Sequence, residues 1–273
     1  MATKPLVPSA SALRWLGVIA APTALALGFL WTGGWLTPHR LTQISLLDAL
    51  HAVDGTHPGF RRNHAKGVCV TGWFEGNGNA AGISTASVLQ PGRVPVVGRF
   101  ALAGGMPFQA DAPAKVRSLA LRLTPADSQE WRMGMNDIPV FPVRTPQEFQ
   151  DLQQASRPDP ATGKPDPARV KAFREAHPWL RAAGAQITHR PLSSGFSDDT
   201  YRSLNSFLFV AKDGAKTAVR WSMVPLQPVT PADGHADDHD YLFRQLIDDL
   251  HAHPLQWRLM VTLAGSGDAI DNP

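Results

Sequence analysis

The spacing of apolar positions changes character along this chain. From Leu13 to Leu36 they run almost without interruption, and Arg14 is the only charge among them. An apolar run of roughly 20 residues is what a helix needs to cross a hydrocarbon core. Lys4 and Arg14 precede it, which by the positive-inside rule leaves the N-terminus in the cytoplasm. Trp31 and Trp35 suit the far interface. Ala24-Leu25-Ala26 has the small residues of a signal-peptidase site but lies inside the apolar run. Residues 1–36 therefore read as an uncleaved membrane anchor in preference to a cleaved signal, and residues 37–273 as an exported domain. The domain is expected at the inner membrane facing the periplasm, or free in the periplasm if the segment is cleaved.

After the connector Thr37-Pro38-His39-Arg40 the pattern becomes mixed. Ile44 to Val53 has helical spacing, with Leu46, Leu47 and Leu50 on one side and Gly55 as its stop. Lys66 to Phe74, Arg93 to Leu102, Val116 to Leu123 and Val140 to Arg144 read as strands, several apolar on alternate residues and bounded by turn residues. Thr145-Pro146 predicts a helix start, with Pro at the first position and Glu148 in the first turn. The proline-rich segment Arg157 to Pro167 reads as a surface connector, followed by a short helix, Ala168 to Ala176. Ser206 to Lys212 and Lys216 to Met223 flank Asp213-Gly214, a strong hairpin signal. Asp237 to His251 predicts an amphipathic helix and Trp257 to Leu263 a final strand. Strands come first and helices later, which predicts an α+β fold rather than alternating βαβ units.

Composition narrows this reading. The 23 Gly and 24 Pro suit a turn-rich barrel with long loops more than a helical bundle. A net charge of only +3 gives no nucleic-acid footprint. The single cysteine, Cys69, excludes an intramolecular disulfide, and its strand-like setting predicts a buried small apolar residue.

The candidate chemistry begins at Gly59-Phe60-Arg61-Arg62-Asn63-His64-Ala65-Lys66-Gly67, where a basic run and one histidine turn into an apolar strand ending Gly72-Trp73-Phe74-Glu75. Further on stand Gly98-Arg99-Phe100-Ala101, Ser118-Leu119-Ala120-Leu121-Arg122-Leu123, Met135-Asn136-Asp137-Ile138-Pro139-Val140-Phe141, and Arg144-Thr145-Pro146 with Phe149. In order and spacing these blocks resemble the haem catalase superfamily, and most of all its short, membrane-tethered peroxidases, over roughly residues 41–265.

The resemblance implies a catalase-like antiparallel β-barrel core with flanking helices, a haem b cofactor, and a peroxide-reducing oxidoreductase acting in oxidative-stress defence. Hydrogen peroxide or organic hydroperoxides would be its substrates, with an electron donor that the sequence does not name. His64 matches the distal histidine, whose imidazole can take and return a proton near working pH. Asn136 matches the asparagine that hydrogen-bonds bound peroxide. Arg61 and Arg99 match arginines that pair with haem propionates. Phe141 and Phe149 match aromatics on the distal side of the macrocycle.

The sequence departs from that pattern at several points. Ala101 stands where the family usually has a serine that orients the distal histidine. Asn63 replaces an apolar residue before His64, which predicts a wetter pocket mouth. The family ligates iron through a tyrosinate in an Arg-x-x-x-Tyr motif. The only tyrosines here, Tyr201 and Tyr241, stand outside such a motif. The proximal tyrosine is therefore expected beyond Pro273, and the haem domain is expected to be incomplete at its C-terminus.

Other readings stand beside this one. The fold could serve hydroperoxide rearrangement without an electron donor, or a haem-free, membrane-tethered barrel binding a small apolar ligand. His235 and His239, four apart beside Asp237, Asp238 and Asp240, could serve a zinc hydrolase, or mark an acidic helix start favoured by the helix dipole. Gly76 to Gly82 lacks dinucleotide-binding spacing and reads as a loop.

Overall fold

A computed structural model describes residues 10–36, 41–127, 129–232 and 238–271. Lys4, the connector 37–40, His235 and Asp237 lie outside the described residues. The protein divides into two units, Met1–Asp48 and Ala49–Pro273.

In the first unit the apolar run forms one helix, α1 (Ala10–Thr32), with Pro22 inside it. Its span Arg14–Thr32 is long and apolar enough to cross a membrane, and none of it is buried by protein. A second helix, α2 (Gln43–Asp54), starts at Thr42 and continues into the second unit. Thr42 and Ser45 satisfy each other's backbone N–H groups at 3.0 and 2.9 Å, a reciprocal cap that fixes the helix start.

The second unit is built on an antiparallel sheet. Its strands are β1 (Gly67–Gly76), β2 (Gly92–Leu102), β3 (Arg117–Leu123), β4 (Trp131–Asn136), β5 (Tyr201–Arg202), β6 (Phe207–Val210), β7 (Lys216–Pro225) and β8 (Trp257–Leu263). Neighbours run β1-β2-β3-β4-β5-β7-β6, and β8 pairs with β7. Among the described residues no ladder joins β1 to the far end, so the expected barrel is an unclosed sheet. One core nonetheless draws on both ends of it: Phe100, Leu102, Leu119, Leu123, Met133, Met135, Tyr201, Val219 and Trp221, with Val68 of β1 and Trp257 of β8 packed against them. Helix α6 (Tyr241–Ala252) adds Leu242 and Leu246 to this core.

Between β4 and β5 lie α3 (Pro146–Ser156), α4 (Pro167–Ala176) and α5 (Leu180–Thr188). Thr145 caps α3 by accepting from the Glu148 N–H, and Asp166 caps α4 by accepting from Ala168. The Asp213-Gly214 hairpin forms as expected, with Gly214 at φ +86°, where an L side chain would be strained.

Two expectations of local structure fail. Val140–Arg144 is not a strand: Pro139 and Pro142 lack the N–H a ladder needs, and the segment bends toward α3. The strand is instead β4, where Trp131, Met133 and Met135 face the core on alternate residues. Cys69 is exposed rather than buried, because β1 turns its odd-numbered residues away from the core.

Candidate active site

The start of β1, the end of β2, the start of β3 and the end of β4 meet in one row. Gly67 faces Ala101, Ala101 faces Ser118, and Ser118 faces Asn136. Partners across an antiparallel ladder share a face, so this row lies on the face opposite the main core. His64 precedes β1 by a short turn and delivers its imidazole to the row.

His64 adopts φ +52°, a left-handed conformation that costs a residue with a Cβ roughly 1–2 kcal/mol. Several bonds hold it there. The His64 N–H donates to Asn63 Oδ1 at 2.9 Å, and the same oxygen accepts from Gly104 N at 2.9 Å. Arg99 donates to the carbonyl of His64 at 2.7 Å and to that of Ala65 at 3.1 Å. Ala65 N donates to Gly104 O at 3.0 Å. Asn63 thus has a structural part in the site. Its carboxamide pins the strained turn to the end of β2.

Lys66 fastens the other side of the turn. Its ammonium lies 2.7 Å from Asp111 Oδ1 and 2.7 Å from Asp240 Oδ1, and donates to Gln109 O at 2.8 Å. Asp111 Oδ2 in turn accepts from Leu242 N at 2.9 Å in the first turn of α6. The acidic helix start noted in the sequence thus includes a lysine partner two residues from His64. Nothing in the sequence pattern links Lys66 to residues 111 and 240.

Among the described residues the half-buried imidazole has one side-chain partner: Ser118 Oγ, 3.0 Å from Nδ1. The Ser118 hydroxyl also donates to Asn136 Oδ1. No hydrogen-bond partner of His64 Nε2 occurs among the described residues. Burial, then the charges of Arg99 and Arg61, hold the imidazole below its ordinary pKa. It is therefore neutral near pH 7 and able to accept a proton.

The other expected residues are placed as follows. Arg99 is half-buried, and its guanidinium clamps the His64 turn as well as facing the open side. Arg61 is exposed and lines a recess with His51, His57, Phe60 and Arg62. Phe141 and Phe149 stack with ring centroids 6.1 Å apart, in a second apolar cluster with Val143, Ala155 and Phe173. His64, Asn136 and Arg99 are thus joined by direct bonds or through Ser118, while the phenylalanine pair sits on the segment that leaves β4. Ser118 and Lys66 were not singled out as site residues from sequence. For Ser118 the available signal was a lone hydroxyl in an apolar strand.

The second row out on the same face is Cys69, Arg99, Ala120 and Gly134. Ala120 is exposed, and a Cβ added at Gly134 would meet nothing within 4 Å. Next to Arg99, the Ala120–Gly134 part of this row is therefore open and carries only small residues.

Tyr201 is fully buried and donates its hydroxyl to Phe196 O at 2.7 Å. Tyr241 is buried at the first turn of α6. His239 contacts Asp240 at 3.1 Å, and among the described residues no group of three potential metal ligands converges.

Comparisons with known proteins point one way. A catalase-related peroxidase from Synechococcus elongatus is 34% identical over 263 residues, covering 95% of this chain and 77% of that protein. A catalase-related peroxidase from Mycolicibacterium paratuberculosis is 29% identical over 244 residues, covering 88% of this chain and 75% of that protein. Catalase A from Saccharomyces cerevisiae shares the fold with a TM-score of 0.67 at 19% identity, over 84% of this chain and 49% of that one. A bacterial catalase gives a TM-score of 0.67 at 18% identity, over 82% of this chain and 45% of that one. The chain thus spans less than half the length of these solved catalases. The catalase family profile matches residues 32–269, and with that match over most of its length the chain belongs to the catalase family.

Proposed function

We propose that this protein is a haem-dependent peroxidase that reduces hydrogen peroxide or organic hydroperoxides, with His64 as the distal acid–base group. The observation that carries the reading is the imidazole itself: neutral, bonded at Nδ1, on the face that carries the small residues Ala120 and Gly134. These residues suit one face of a planar macrocycle, because Ala120 is exposed and Gly134 leaves open space. Arg61, in a recess lined with His51, His57 and Arg62, offers the cationic edge that a propionate needs. The residues present therefore fit the distal side and one edge of haem. Haem b, when bound, supplies the electrons that cleave the peroxide O–O bond.

The protein's own residues manage the proton. Nε2 of His64 would take it from the protonated peroxide oxygen and return it to the other, which leaves as water or an alcohol. The Asn136 amide, its Oδ1 already engaged by Ser118, keeps both N–H donors for the peroxide and stabilises charge developing there. Arg99 keeps the His64 turn from relaxing out of its strained conformation. Phe141 and Phe149 would pack at the margin of the macrocycle. Helix α1 supports an inner-membrane anchor with the second unit in the periplasm, since Arg14 stands at its start.

The test is His64→Ala in haem-loaded protein. The Soret band should persist while reaction with peroxide slows by roughly 10²–10⁴-fold, and a change below about tenfold removes His64 from this role. Asn136→Ala should slow the same step less. A purified full-length protein that takes up no haem would favour a haem-free barrel instead.

A further inference from the structure

We propose that Ser118 is the positioning residue of this site, fixing the His64 imidazole with its proton on Nδ1 and its lone pair on Nε2. The proposal rests on the reading of His64 as the proton acceptor and says which residue makes it one.

Ser118 is buried, with 7% of its surface exposed. Its Oγ stands between two side chains, 3.0 Å from His64 Nδ1 and in hydrogen-bond contact with Asn136 Oδ1. A hydroxyl has a single proton. Donating it to Asn136 Oδ1 leaves Ser118 only an acceptor toward the imidazole, so Nδ1 must carry the hydrogen. The relay of bonds then runs from His64 Nδ1–H to Ser118 Oγ and from Ser118 O–H to Asn136 Oδ1. Its two free ends are a lone pair on Nε2 and two N–H donors on Asn136, the pair that accepts a proton and polarises an oxygen. Reversing the asparagine amide would reverse every bond and leave Nε2 protonated, an acid where a base is needed. Ser118 therefore couples the tautomer of one residue to the orientation of the other.

The ladder explains how the hydroxyl comes from this position. Ser118 is the register partner of Ala101. Facing Cβ atoms in an antiparallel pair lie only about 4.5–5.5 Å apart, so a hydroxyl on either strand can reach an imidazole beside the row. The orienting group expected at position 101 is supplied one strand over.

The decisive measurement is ¹⁵N NMR of the full-length protein in detergent, without added haem, with the His64 signals assigned by their loss in His64→Gln. The wild type should show the Nδ1–H tautomer, and Ser118→Ala should lose that preference. Ser118→Thr should keep it, and Ala101→Ser combined with Ser118→Ala should regain it. In haem-loaded protein Ser118→Ala should slow reaction with peroxide by roughly tenfold to a hundredfold, with the same two variants restoring it. An Nε2–H imidazole in the wild type overturns the proposal even if Ser118→Ala does not fold, and so does an unchanged tautomer in a folded Ser118→Ala. Loss of the tautomer in Ser118→Ala, with His64→Ala leaving the peroxide reaction untouched, keeps the positioning role and removes the acid–base reading instead.

Discussion

Arg117 and Ser118 are neighbours at the start of β3, and Asn136 and Asp137 are neighbours at the end of β4. Strand alternation sends them to opposite sides. Ser118 and Asn136 meet His64. Arg117, 1% exposed, enters a closed cluster in which it donates to Ser193 Oγ at 2.8 Å, Gly195 O at 2.9 Å and Asp199 Oδ2 at 3.0 Å. Asp137 accepts from Arg117 N at 3.0 Å and pairs with Arg190 at 3.1 Å. The charged cluster is crowded with internal partners and ties the sheet to residues 193–199. The His64 imidazole is bonded, among the described residues, at one nitrogen. The same ladder thus carries a densely bonded network, suited to holding the fold, and a sparsely bonded one, suited to meeting a ligand.

The largest separation should come from Arg117→Ala against His64→Ala. Removing Arg117 leaves buried acceptors on Ser193 and Asp199 without their donor, and each buried acceptor left unmade costs roughly 1–3 kcal/mol. Urea unfolding should show that loss. His64→Ala should lower stability by less than about 1 kcal/mol, since among the described residues the imidazole makes one hydrogen bond, to Ser118. If the two variants proved equally unstable, the division between a structural and a chemical side of the ladder would collapse.

Gly67→Ala should strike both sides at once. A Cβ there would lie 2.5 Å from the Arg99 guanidinium carbon and 2.5 Å from the Phe100 carbonyl oxygen. The carbonyl belongs to the β1–β2 ladder and cannot withdraw, so overpacking should cost about 1–3 kcal/mol. Arg99 must shift from the His64 and Ala65 carbonyls, which frees the strained turn. Peroxide reactivity should therefore fall in protein that is still folded, as stopped-flow on the haem-loaded variant can check. Full activity in a destabilised variant would show that Arg99 does not hold the turn.

The two sides should respond to pH in opposite senses: His64, held below its ordinary pKa, adds stability as pH rises, whereas the charged side loses it. Burial, then the charge of Asp137, pushes the Asp199 carboxyl up to about 7, against the attraction of Arg117. Burial likewise raises Asp137. A carboxyl whose folded pKa lies above its unfolded value of about 3.9 binds its proton more tightly in the native state. Its contribution to stability is complete below about pH 4 and is lost as pH rises through about 7. The urea midpoint should fall between pH 5 and pH 8, and Asp199→Asn should flatten that fall. An unchanged slope in the variant would mean that Arg117 keeps Asp199 ionised throughout.

Much of the fold was legible because it rests on local period. Strands β1, β2, β3, β7 and β8 alternate in sequence, Asp213-Gly214 forces its hairpin, and α1 is a bare apolar run. Strand β4 carries the same alternation, yet Gly134 interrupts it, and the more apolar Val140–Arg144 drew the strand assignment although Pro139 and Pro142 forbid a ladder. Helix α5 contains Gly184 and buries no residue fully, so its apolar face is weak. Sheet closure and register depend on pairings between distant segments, which period alone cannot fix. The site divides in the same way. His64, Asn136 and Arg99 stand in a recognisable order along the sequence. Ser118 and Lys66 act through contacts across 54 and 45 residues, to His64 and Asp111 respectively, which only the folded ladder reveals.

The smallest effect should come from Tyr201, which tests whether the core side of the sheet takes any part in the chemistry. Tyr201 follows Asp199 by two residues on β5, and Arg202 beside it faces Asn136 across the β4–β5 pair. Its ring is wholly buried in the core near Phe100, with centroids 5.9 Å apart, and burial raises its phenol well above the usual 10. A phenol so placed resists ionisation, and its proton is already given to Phe196 O at 2.7 Å. It is therefore the opposite of a tyrosinate ready to bind iron. Tyr201→Phe keeps the ring and removes one hydrogen bond, so stability should fall by about 1 kcal/mol. The Soret band and the peroxide rate of haem-loaded protein should not move. A lost or shifted Soret band would instead bring Tyr201 into the haem site, and the boundary drawn between the core side and the His64 side would have to be redrawn around it.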